Sequence, residues 1–173
     1  MNRKTRSLTL SALFAALTIV VLYISVLWPT GQLALSAVAS FFTVAAVIES
    51  GIFYGVYVYA VSAILGFILL PDKTVPLYYI LFFGYYPIAK SLIERIEKTP
   101  FQWVLKLLVF VAALTVMWLF VRVLLIDYVW SIPNALIVYA VGCAVFVLYD
   151  YGYSKAIGLY LGRVSKFIKK GSK

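Results

Sequence analysis

The sequence predicts an all-α integral membrane protein, a compact bundle of six transmembrane helices with both termini cytoplasmic. Three observations lead there. Of 173 residues, 65% are hydrophobic and only 12% charged, against roughly 25% charged in an average soluble domain. Apolar runs near the length of a membrane span, about 20 residues, recur six times between turn signals. The lysines and arginines gather at the ends of those runs, on one side. A soluble domain of this size has too little interior to hide so much apolar surface, so lipid is the expected solvent. The whole of 1–173 is expected to be a single transmembrane domain.

The elements follow from the breaks between runs. The first helix spans about 8–28, after the basic arm "MNRKTR". That arm and run also describe a signal peptide, but the run exceeds the usual 7–15 apolar residues and lacks a small-residue cleavage site behind it. It is expected to be retained. "WPTGQ" turns the chain through Pro29 and Gly31. Residues 33–70 are too many for one span at 1.5 Å per residue, and "ESG" at 49–51 divides them into helices over 33–48 and 52–70. The loop "PDKTVP" precedes a fourth helix over 77–93, in which Pro87 is expected to produce a kink. "ERIEKTP" leads to a fifth helix over 101–125. "DYVWSIP" leads to a sixth over 134–161, followed by a basic tail at 162–173.

Charge sets the orientation. The N-terminal arm, the segment between the fourth and fifth helices and the tail hold Arg3, Lys4, Arg6, Lys90, Arg95, Lys98, Lys106 and five further basic residues after 162. The other side offers Lys73 and Arg122. The positive-inside rule makes the rich side cytoplasmic. It also accounts for the net charge of +9 without nucleic acid, since anionic headgroups select the same pattern.

The composition also excludes chemistry. There is no histidine, the commonest general base and metal ligand. Cys143 is the only cysteine, so no internal disulfide or cysteine metal cluster is expected, and it reads as a small apolar residue. No Walker A loop is present to hold ATP. No cofactor, metal or enzymatic activity is expected.

Three sets of residues remain as candidates. Ala12, Ala15 and Ala16 in "SALFAALT" form a small-residue face on the first helix. Such faces let helix backbones approach closely in lipid, either within the bundle or against a second subunit. Trp28, Gln32, Asp72, Lys73, Tyr78, Tyr79, Asp127, Trp130 and Asn134 fall in or beside the outer loops. Aromatic rings with a few polar groups build ligand pockets, and equally the aromatic belt of a membrane interface. Lys90, Glu94 and Asp150 are charges within or near spans, which are expensive there and are functional candidates by default. Lys90 and Glu94 are spaced to pair along one helix face, and Lys90 can instead snorkel toward the cytoplasm. Lys155 and Lys90 are candidate partners for Asp150.

A six-helix chain of this length, with cytoplasmic ends and Ala12 and Ala16 near the inner end of its first helix, resembles the substrate-binding S subunits of energy-coupling-factor transporters. That resemblance implies capture of a vitamin-like nutrient near the outer face. It also implies docking of the alanine motif on a transmembrane coupling subunit, and energy from two ATPase subunits. It extends over the whole chain in length and topology, and its specific residues are the two alanines. Two other readings stand beside it. One is a scaffold or lipid-interacting protein using the basic tail on anionic lipids. The other is a small ion-coupled carrier using Asp150 and Lys90.

Overall fold

The structure, a computed structural model, describes residues 3–124 and 135–164. All regular structure in them is helical. In order these are α1 (Arg3–Leu27), a 3₁₀ turn (Pro29–Gly31), α2 (Gln32–Ser50), α3 (Ile52–Leu69), α4 (Thr74–Tyr78), a π turn (Tyr79–Phe83), α5 (Tyr86–Ile93), α6 (Thr99–Leu124), α7 (Ala135–Leu159) and a second π turn (Tyr160–Val164). Among the described residues five helices are long and apolar enough to cross a membrane: Arg3–Leu27, Pro29–Ser50, Ile52–Leu69, Thr99–Leu119 and Leu136–Gly162.

The expected fourth span is the one that differs. Instead of one helix kinked at Pro87, the chain forms α4, the π turn and then α5. The Gly84 N–H reaches back five residues to the Tyr79 carbonyl at 2.7 Å. Pro87 lies in the first turn of α5, where its missing N–H costs no helical hydrogen bond. Gly84 shows why the bend is here. A Cβ on it would stand 2.6 Å from the Tyr59 ring and 2.7 Å from the Tyr79 ring, so only glycine admits both rings. The other boundaries agree within a few residues, except that α1 runs back to Arg3. Arginine and lysine are good helix formers, so a helix does not stop where its apolar run does.

The chain divides into two compact units, Met1–Trp103 and Val104–Lys173. In the first, α1, α2 and α3 pack through small and hydroxyl-bearing residues. The buried line on α1 is Ser11, Ala15, Thr18, Leu22 and Ser25, a spacing of alternating four and three that keeps one face toward a neighbour. Ser36, Ala39, Ser40 and Thr43 do the same on α2, and Gly55, Val58, Ser62 and Gly66 on α3. A Cβ on Gly55 would collide with Val47. Large apolar residues such as Leu13, Val20, Ile24, Phe53, Ile64 and Ile68 point outward. A unit with hydroxyls inside and leucines outside suits hydrocarbon, where helices associate by close backbone approach.

In the second unit α6 and α7 run antiparallel with large side chains between them. Phe110 stacks on Phe146 with ring centroids 4.5 Å apart. One turn to one side Lys106 pairs with Asp150 at 3.0 Å. To the other, Gly142 gives room to Phe110 and Leu114, and the Thr115 and Tyr139 hydroxyls share a hydrogen bond of 2.9 Å.

Candidate functional site

The first unit holds a hydroxyl cluster that draws on α1, α2, α3 and the π turn. Thr18 from α1, Thr43 from α2, Ser62 from α3 and Tyr79 from the π turn are all fully buried. Thr43 Oγ1 and the Tyr79 hydroxyl lie 2.8 Å apart in a hydrogen bond, and the Thr18 and Ser62 hydroxyls stand beside the same phenol. Thr18 donates to the Phe14 carbonyl at 2.8 Å, and Ser62 Oγ lies 3.5 Å from the Ala15 carbonyl. Tyr59 closes one side, its ring 6.1 Å from that of Tyr79 and its hydroxyl donating to the Ile80 carbonyl. The sequence signal for this cluster is the run of Ser and Thr at heptad spacing inside apolar helices.

The expected outer residues form part of a loop network. Asp72 accepts from Gln32 Nε2 at 3.0 Å and from the Thr74 N–H at 2.9 Å, the second being the local turn that aspartate favours. Those bonds hold its carboxyl below the usual carboxylate range, the Thr74 N–H acting most strongly. The Lys73 ammonium donates to the Phe67 and Leu70 carbonyls at 2.7 Å each, closing the end of α3 where helical carbonyls lack donors. Ser25 donates to the Gln32 carbonyl at 3.2 Å, and Ser36, one turn further along α2, is fully buried with no hydrogen-bond partner for its hydroxyl. Gln32, Asp72, Ser25 and Ser36 thus gather the polar groups at this end. Trp28 lies against Gly31 and is 63% exposed, the placement of an interfacial ring. Tyr78 is half-buried. Tyr79 belongs to the hydroxyl cluster, away from the loop. Asp127, Trp130 and Asn134, with residues 165–173 of the basic tail, lie outside the described residues.

The alanines separate. Ala15 is buried on the packed face of α1, whereas Ala12 and Ala16 are exposed on its other side.

The charges pair, with one partner that the sequence did not suggest. Lys90 meets Glu94 at 2.8 Å along α5. Lys90 is 1% exposed, so it does not snorkel. Asp150 pairs with Lys106, and both members are buried, 2% and 5% exposed. Lys155 instead stands 5.6 Å over the Tyr151 ring. Among the described residues no group of His, Cys, Asp and Glu is placed to hold a metal ion.

These features define a class, an all-helical protein whose described residues include five helices long and apolar enough to cross a membrane, with polar groups gathered among them. The chain matches no protein-family model, no curated protein and no solved structure.

Proposed function

We propose that the chain is a membrane-embedded capture subunit for a small, vitamin-like nutrient. Separate coupling and ATPase subunits supply its energy, and its termini lie on the cytoplasmic side of the cell membrane. The observation that carries this reading is the division of the alanines. Ser11, Ala15 and Thr18 serve packing inside the first unit, which leaves Ala12 and Ala16 exposed together on the opposite side of α1. Two alanines four apart give lipid chains little to pack against and give a second helix a place to approach closely. The polar set at the opposite end of α1 and α2, Ser25, Gln32, Ser36 and Asp72, supports a ligand there. In the test, Ala16→Trp abolishes uptake by cells and leaves ligand binding by the purified protein intact. Equal loss of both would place Ala16 in the packing of this chain and reject the docking role.

The buried Lys106–Asp150 pair favours a second reading, a small ion-coupled carrier. Ionisable pairs inside spans mark ion pathways in many transporters. That reading requires uptake to follow a proton or sodium gradient and to fail in Asp150→Asn. Uptake indifferent to both rejects it.

A further inference from the structure

The end of α2 carries oxygen atoms that nothing among the described residues satisfies. Glu49 Oε1 and Ser50 Oγ are buried, and neither has a hydrogen-bond partner. A helical serine or threonine ordinarily gives its hydroxyl to the carbonyl four residues back, as Ser11, Thr18 and Ser154 do here. Ser50 makes no such bond. Among the described residues no lysine or arginine pairs with Glu49. The Glu49 carboxylate adds negative charge to the negative end of a helix dipole. The carbonyls of the last helical turn have no donors of their own, and the Gly51 N–H takes only that of Val47, at 2.9 Å.

We propose that this end of α2 binds one alkali cation, held by the Glu49 carboxylate, the Ser50 hydroxyl and the terminal carbonyls of the helix. Carboxylate, hydroxyl and carbonyl oxygens are the ligands of hard cations, and helix C-terminal ends serve sodium in the same way in membrane transporters. The single carboxylate fixes the charge. One monovalent ion neutralises it, whereas a divalent ion leaves a net positive charge. Gly51 keeps an approach open. Its φ is +99° and a Cβ there would meet nothing within 4 Å. The site is separate from the exposed alanines and the Gln32–Asp72 network, so it stands whether or not the capture reading holds.

The test is binding of radioactive sodium to the full-length protein in nanodiscs, in a choline buffer, with helicity and elution profile checked for each variant. The wild type binds about one equivalent, displaced by unlabelled sodium or potassium and not by choline. Glu49→Gln loses saturable binding while remaining folded, and Ser50→Ala binds roughly tenfold more weakly. Absence of saturable binding to the wild type overturns the proposal, and assigns neutralisation of Glu49 to a basic side chain or to water. Wild-type binding in folded Glu49→Gln overturns it equally.

Discussion

The two units solve the same packing problem with opposite materials. In the first, the seams between α1, α2 and α3 are rich in Ser, Thr, Ala and Gly around a few larger residues such as Leu22 and Val58, and a hydroxyl cluster gathers around Tyr79. In the second, α6 and α7 are spaced by the Phe110–Phe146 stack and fixed in register by the Lys106–Asp150 pair. Small-residue seams spread their energy over many weak contacts. A buried ion pair concentrates it in one place, because each charge depends on the other for its solvation. The first unit should therefore tolerate loss of any one hydroxyl, and the second should not tolerate loss of either charge.

The sharpest break is Lys106→Met. It removes the Lys106 ammonium from beside the buried Asp150 carboxylate and should cost about 3–5 kcal/mol, read as faster hydrogen exchange throughout α6 and α7. The double variant Lys106→Met/Asp150→Leu should recover that loss, since an apolar pair of similar volume is often neutral or stabilising. Failure to recover would give the charges a role beyond packing. In the first unit Gly84→Ala should cost about 1–3 kcal/mol by forcing a methyl against the Tyr59 and Tyr79 rings. Its signature is loss of protection at the π turn. Tyr79→Phe should cost only about 0.6–1.7 kcal/mol, the range for single hydrogen bonds between membrane helices, with the fold retained. A loss as large as that of Lys106→Met would show that the hydroxyl cluster acts as one unit.

The smallest effect concerns pH. Because Asp72 ionises more readily in the folded loop, its contribution is present above the ordinary aspartate pKa of about 3.9. It is lost as pH falls through the lower folded value. Acid titration of loop protection near Thr74 should show that loss, and Asp72→Ala should remove the pH dependence at neutral cost elsewhere.

How legible each unit was in the sequence follows the same contrast. The helices and turns were readable because apolar runs and signals such as "WPTGQ" and "ESG" act locally. The seam of α1 was missed although Ser11, Ala15, Thr18, Leu22 and Ser25 keep a strict spacing, because the three alanines draw the eye as one small-residue face. It is the seam that sends Ala12 and Ala16 outward. The bend at Gly84 was hidden because two rings from distant positions create it, while Pro87 offered a more familiar local cause. The partner of Asp150 was hidden for a similar reason. Lys106 stands 44 residues away and reads as a flanking charge until α6 and α7 are set antiparallel. Of the expected outer residues, Gln32 and Asp72 do meet. Tyr79 joins the core because the π turn rotates it inward, a rotation that helix periodicity does not encode.

The central claim is that this chain captures a ligand and borrows its energy from partners. The most direct measurement is native mass spectrometry of the protein purified gently from its own membrane. A capture subunit should carry about one equivalent of a bound small metabolite, with coupling and ATPase subunits in the same preparation, and should lose those subunits but not the metabolite in Ala16→Trp. Lipids alone, with no ATPase partners across several detergents, would contradict it.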